Sequence, residues 1–123
     1  MLKAIILTII MSLIITIGQL MWKIGLSRLD VFYNTELGFL LNLLRILGSG
    51  YILSGFFLYG IATIFFLYLL RLYEMSLIIP ISSMSIIFAA LVGKIYLGEE
   101  IGYMRWVGIF IIIIGVFFVS RNN

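Results

Sequence analysis

Two lysines and one glutamine are the side chains of this sequence best suited to bind a charged ligand. Lys94 lies in a long apolar run, and Lys23 follows another such run, with Gln19 one helical turn before it on the same face. If these runs cross a membrane, a cation there needs an anionic partner, which a phosphate or pyrophosphate would supply. In a simpler interpretation, each lysine extends its ammonium group to the lipid headgroups. The Gln19 amide would contact either a substrate or a neighbouring helix.

Hydroxyl groups are the other candidate contacts. Tyr59 and Thr63 lie one helical turn apart in the second apolar run, and Ser82 and Ser85 lie in the third, within a stripe of small residues. We predict that these four residues line a polar groove able to bind a sugar. The alternative is that they only pack against neighbouring helices, where small and hydroxyl-bearing residues are common.

Composition excludes several kinds of site. The chain has no cysteine and no histidine, so it lacks thiol nucleophiles, thiolate metal ligands and the usual imidazole base. The acidic residues all lie at or outside the ends of the apolar runs: Asp30, Glu36, Glu74, Glu99 and Glu100. We therefore predict a protein that is not an enzyme and holds no metal or cofactor. The net charge of +3 is scattered and indicates contact with anionic lipids rather than nucleic acid.

The proportion of apolar residues indicates an integral membrane protein. Hydrophobic residues make up 64% of the 123 positions and charged residues 11%, and the mean hydropathy is +1.29. Soluble domains average about 45–50% apolar and about 25% charged residues. A soluble fold of this size could not cover so much apolar surface, and lipid is the solvent that suits it.

Four runs are long enough to cross a bilayer, which takes about 20 apolar residues in a helix. They are residues 4–22, 51–72, 76–97 and 103–120. The first is too long for the core of a signal peptide and has no small-residue cleavage site after it, so we expect it to be retained. Pro80 lacks the N–H of a helical residue and predicts a kink in the third run.

The segment between the first two runs has a different pattern. Residues 25–30 are typical of a loop, whereas residues 31–48 are apolar but interrupted. Gly38, Asn42, Arg45 and Ser49 align on one helical face, with leucines on the other. This pattern predicts an amphipathic helix in the membrane interface, and the alternative is a short re-entrant segment. The fold class is therefore an all-α integral membrane protein, a single transmembrane domain over residues 1–123 with four transmembrane helices plus this interfacial helix.

Several motifs resemble the drug/metabolite transporter superfamily and its EamA-like helical hairpin. They are Gly18-Gln19-Leu20-Met21-Trp22-Lys23, the turn Tyr96-Leu97-Gly98-Glu99-Glu100, and Arg105-Trp106-Val107-Gly108-Ile109 followed by Gly115-Val116-Phe117-Phe118-Val119-Ser120. The resemblance covers most of the chain except residues 24–50. It implies a multi-pass transporter of the bacterial inner (plasma) membrane.

Two four-helix groups of this superfamily are relevant, and they differ in one acidic residue. Small multidrug resistance exporters carry a glutamate eight residues before the conserved lysine, and the corresponding position here is Ile15. The resemblance then favours the second group, the flippase subunits for undecaprenyl-phosphate-aminoarabinose, with a polyprenyl phosphate as the lipid partner. Two alternatives stay open: an exporter of small organic ions that uses Glu74, and a non-transporting subunit that assists a glycosyltransferase.

Two glycines of the fourth run predict the mode of assembly. Gly108 and Gly115 are seven residues apart on one helical face, and small residues let helix backbones approach closely. In the small multidrug resistance family such a pattern forms the dimer contact. The resemblance therefore implies a homodimer or a heterodimer with a paralogue. Positive charges on the two sides of the four runs nearly balance, so membrane orientation stays open, including a dual orientation.

Overall fold

The chain folds into a helical bundle. The computed structural model describes residues 1–29 and 36–121, excluding the side chains of residues 36 and 37. Within these ranges the regular elements are helices: α1 (Leu2–Arg28), α2 (Glu36–Gly48), α3 (Gly50–Leu72), α4 (Met75–Ser82), α5 (Met84–Tyr96) and α6 (Tyr103–Arg121). The predicted start of the interfacial helix at residues 31–35 lies outside the described residues.

Four spans are long and apolar enough to cross a membrane: Leu2–Arg28, Gly50–Leu72, Met75–Tyr96 and Tyr103–Arg121. The third span consists of α4 and α5, and the shorter helix α2 lies between the first and second spans. The predicted all-α architecture is thus confirmed. The predicted loop at residues 25–30 is wrong as far as Arg28, because α1 continues to that residue. Gly25 does not end the helix but lets it approach α3, since a Cβ there would lie 2.8 Å from the Ile52 side chain.

Helices α1 and α3 pack closely through glycines. A Cβ on Gly55 would lie 2.8 Å from the Gly18 carbonyl oxygen and would also overlap the Trp22 indole. The indole fills the space beside Gly55, and its Nε1 donates a hydrogen bond to the Ile52 carbonyl at 3.2 Å. Trp22 therefore packs between the helices instead of serving only as the interfacial aromatic residue that its position suggests.

The third span is interrupted shortly after Pro80, as the predicted kink requires. Helix α4 ends at Ser82 and α5 begins at Met84. The hydroxyls of Ser82 and Ser83 donate to the carbonyls of Ile79 and Pro80 at 2.6 and 2.5 Å, respectively. Such side-chain bonds compete with helical backbone bonds and bend helices. Pro80 has no N–H to donate, so the helix also loses a backbone hydrogen bond at this place.

Three hydroxyl-bearing residues of α1 are buried: Thr8, Ser12 and Thr16. Each donates to the carbonyl four residues earlier in α1, at 2.7–2.8 Å. Ser12 Oγ also lies 3.4 Å from the Ser82 carbonyl oxygen, and Thr16 Oγ1 lies 3.5 Å from that of Ser85. The Ser12 and Thr16 hydroxyls thus lie beside carbonyl groups of the interrupted span. In a bilayer these carbonyl groups have no water to bind.

Helices α2 and α6 lie at the edges of the bundle. In α2, Asn42 is buried, whereas Leu40 and Leu44 are 65% and 67% exposed. Asn42 thus lies towards the protein, whereas Arg45 is exposed and these leucines lie outward, as suits a lipid environment. Helix α6 packs against α4 and α5, and of its residues Ile109 is the buried one. Most of the apolar surface of α6 is therefore available to lipid or to a partner.

The packing of α1 on α3 predicts that Gly55→Ala destabilises the protein by about 1–3 kcal/mol, the usual cost of overpacking. The matched control is Gly60→Ala in the same helix, because a Cβ on Gly60 meets no atom within 4 Å. Thermal unfolding in mild detergent, followed by circular dichroism, compares the two variants. Equal midpoints for the two variants would contradict the proposed contact.

Candidate substrate site

A cavity of about 380 Å³ lies among α1, α3 and the interruption of the third span, and we call it the central cavity. It is near the middle of each span, as Ile15, Ala62 and Ser85 on its wall indicate. Its size falls in the range of small-molecule sites, about 300–1,000 Å³. Five of the predicted substrate-binding residues line it: Gln19, Tyr59, Thr63, Ser82 and Ser85.

The polar groups of the central cavity have defined hydrogen-bonding roles. Thr63 Oγ1 donates to the Tyr59 carbonyl at 2.8 Å, and Ser82 Oγ donates to the Ile79 carbonyl at 2.6 Å. Because each hydroxyl proton is used within its own helix, the oxygen lone pairs remain to accept from a ligand. The Gln19 amide makes no hydrogen bond within residues 1–29 and 36–121 and offers both a donor and an acceptor. The cavity therefore suits a ligand rich in hydroxyl groups.

Aromatic packing positions Tyr59 in the wall of this cavity. Its ring stacks on the Trp22 indole, with centroids 5.2 Å apart and planes 22° apart. The Phe56 ring also packs against the indole, with ring centroids 5.0 Å apart and planes 57° apart. The Trp22 indole in turn packs against Gly55, so the close approach of α1 and α3 determines where the Tyr59 ring lies.

A second cavity of about 200 Å³ adjoins the first, and we call it the ion-pair cavity. Gln19 lines both cavities, so it lies between them. Lys23 and Glu99 line the ion-pair cavity, with Nζ and Oε1 3.7 Å apart. The two side chains are 61% and 42% exposed, so the pair is open to its surroundings. Lys23 thus lies where a ligand bound in the central cavity could extend an anionic group.

Glu99 is absent from the predicted site residues because it follows the third span in sequence. The chain reverses at Gly98, whose φ of 65° suits the left-handed conformation of a helix C-terminus. The Glu99 N–H then donates to the Gly93 carbonyl at 3.0 Å. The Leu97-Gly98-Glu99 motif was the signal that could have identified it, because a glycine in this place returns the next side chain towards the helix.

The structure does not group Lys94 with Lys23. The Lys94 ammonium lies over the Trp106 ring of α6, 5.4 Å from its centroid. Lys94 lines neither the central cavity nor the ion-pair cavity. Glu74, the acid of the exporter alternative, also lines neither; it lies between α3 and α4 and accepts a 3.4 Å hydrogen bond from Ser76.

Gly108 and Gly115, the predicted dimer contacts, have no packing role among the described residues. A Cβ on either glycine would meet no atom within 4 Å. Among the described residues, no group of three or more acidic, cysteine or histidine side chains could hold a metal ion. The described chemistry is thus one of polar contacts and a single lysine–carboxylate pair, arranged along spans of a membrane protein.

Comparison with known proteins identifies the family of this chain. Over 119 residues the chain is 25% identical to a protein of Photorhabdus laumondii named as a probable 4-amino-4-deoxy-L-arabinose-phosphoundecaprenol flippase subunit, ArnE. That match covers 95% of this chain and 96% of the relative. No solved structure gives a significant match. The model of the EamA-like transporter family matches residues 2–121, which confirms the resemblance predicted from the motifs. The chain, a multi-pass membrane protein, belongs to the EamA-like transporter family.

Proposed function

We propose that this transporter is a flippase, or a subunit of one, for a polyprenyl-phosphate-linked sugar in the bacterial inner membrane. The observation that carries the proposal is the pair of adjoining cavities that share Gln19. One lies near the middle of the first three spans and is lined by hydroxyl groups of the second and third, and the other is lined by Lys23.

The chemistry of such a lipid matches the order of the two cavities. Its sugar carries many hydroxyl groups, which can donate to Thr63 and Ser82 and bond to Gln19 in the central cavity. Its phosphate is joined directly to the sugar, so it would lie one group away, beside Lys23 in the ion-pair cavity. The polyprenyl chain stays in the bilayer. The relative from Photorhabdus is named for a lipid with these three parts.

A dimer that alternates between two open states is the proposed mechanism. Many transporters bind substrate at the bilayer midplane beside a discontinuous helix, between two repeats that rock against each other. Here the interruption between α4 and α5 lies at the central cavity, since Ser82 and Ser85 line it. A second copy or a paralogue would supply the other repeat and pack against α6 through Gly108 and Gly115.

The polar groups of the central cavity argue against a proton-coupled exporter of cations. Such an exporter needs an acid at membrane depth, and this cavity is lined by no acidic residue among those described. Glu99 lines the neighbouring cavity but already has the Lys23 ammonium as its partner. Glu74 lies at the α3–α4 connection. An anionic substrate fits these charges better than a cationic one.

The first prediction of this function is that Lys23→Gln lowers the rate of flipping at least tenfold, because a hydrogen bond to a charged group contributes about 1.5–3 kcal/mol. The assay follows a fluorescent polyprenyl-phosphate sugar in proteoliposomes that hold the protein with any subunit that co-purifies with it. Lys3→Gln, at the other end of α1, removes the same charge and should retain more than half of the activity. Equal rates for these two variants would rule out the phosphate role of Lys23.

Lys94→Gln in the same assay measures the role of the second predicted lysine. We expect a smaller loss, within about threefold, because the Lys94 ammonium lies over Trp106 and lines neither cavity. A loss as large as that of Lys23→Gln would instead assign the phosphate to both lysines.

The second prediction concerns assembly. Replacing Gly108 and Gly115 together with isoleucine should abolish the dimer without unfolding the chain, because both positions face open space within it. Gly60→Ile is the matched control, since a Cβ there also meets no atom within 4 Å. Light scattering coupled to size-exclusion chromatography in detergent measures the mass of each variant. A dimer that persists in the double variant excludes this face as the contact.

A further inference from the structure

The carboxylate of Glu99 occupies the ion-pair cavity although its residue belongs to a connecting turn. The Glu99 N–H is bonded to the Gly93 carbonyl at 3.0 Å, and Glu99 Oε1 lies 3.7 Å from Lys23 Nζ. The turn therefore brings a negative charge to Lys23, the one cation that lines this cavity in the described part of the chain. Glu100, the next residue, forms no ion pair within the described parts of the chain.

Gly93 provides the space for this carboxylate. A Cβ on Gly93 would lie 2.6 Å from Glu99 Oε2 and 3.3 Å from Glu99 Cδ, and it would meet no other atom within 4 Å. Small residues such as glycine commonly allow helices to pack closely, but the neighbour of Gly93 is a carboxylate. A side chain at this position would push the Glu99 carboxylate away from where it now lies.

An ammonium group binds a carboxylate and a phosphate by the same charge-assisted hydrogen bonds. The Lys23–Glu99 pair is about half exposed. Exposed pairs of this kind are weak, so an incoming anion can open this one. In the empty protein, Glu99 compensates the Lys23 charge and so lowers the cost of holding a cation near the membrane interior.

We infer that Glu99 is a resident anion, which holds Lys23 in the absence of substrate, gives way to the phosphate of the substrate and returns when the phosphate leaves. The inference rests on the proposed function, because it assigns the phosphate to Lys23. It has two consequences with opposite signs. Removing the Glu99 charge strengthens phosphate binding, since no competitor remains, and it slows turnover, since nothing helps to expel the phosphate.

The test uses farnesyl phosphate, a short prenyl phosphate without sugar or amine, so that the ligand offers no cation that could pair with Glu99. We expect Glu99→Gln to lower the Kd about three- to fivefold, the upper range for an exposed pair. Glu100→Gln removes the same charge one residue away and should leave the Kd unchanged. Isothermal titration in detergent measures each Kd, and farnesol provides the phosphate-free reference.

Two further variants separate the carboxylate from a general change in charge or fold. Gly93→Ala keeps the Glu99 charge but displaces the carboxylate, and should also tighten binding; Gly102→Ala, whose Cβ meets no atom within 4 Å, is its control. In the Lys23→Gln background, Glu99→Gln should have no effect, because the two residues act on one interaction. In the flipping assay Glu99→Gln should be slower than Glu100→Gln despite its tighter binding.

The outcomes distinguish this inference from the proposed function. Suppose that Lys23→Gln raises the Kd for farnesyl phosphate but Glu99→Gln and Glu100→Gln have the same Kd. The inference about Glu99 is then overturned and the proposed function stands. If Glu99→Gln weakens binding, Glu99 positions Lys23 and the inference is likewise overturned. If Lys23→Gln leaves binding unchanged, the phosphate site of the proposed function itself fails.

Discussion

The close approach of α1 and α3 is the contact on which the rest of the structure depends. It is possible because Gly18 and Gly55 face each other without side chains, which leaves room for the Trp22 indole. The indole positions the Tyr59 ring in the central cavity, and the next residue along α1 is Lys23. One glycine-mediated contact thus sets both the wall of the central cavity and the start of the ion-pair cavity.

The low dielectric of a bilayer explains how the remaining polar groups are arranged. Backbone and side-chain groups in lipid must be satisfied within the protein. The hydroxyls of Thr8, Ser12 and Thr16 bond to carbonyls of α1, and two of them also reach the interrupted third span. The interruption can therefore exist at membrane depth, where it shapes the central cavity. The Lys23–Glu99 pair follows the same rule for charge.

Much of the fold could be predicted because hydropathy alone determines which segments cross a membrane. The end of α1 could not, since Gly25 has the composition of a loop and is used for packing on α3. Four hydroxyl-bearing residues were predicted to line one polar groove; they line one cavity, together with Gln19, which had been grouped with Lys23. Lys94 was grouped with Lys23 because both are lysines in or next to long apolar runs, but its ammonium lies over the Trp106 ring.

The sequence by itself determined that the chain lies in a membrane, how many spans it has and to which family it belongs. These properties follow from composition, from the lengths of the apolar runs and from local motifs. Only the tertiary structure decided which polar residues meet. Glu99 lies beyond the end of its span in sequence, yet the turn at Gly98 and the space at Gly93 return its carboxylate to Lys23. That contact joins residues 76 positions apart, a distance in sequence at which hydropathy and helical periodicity carry no information.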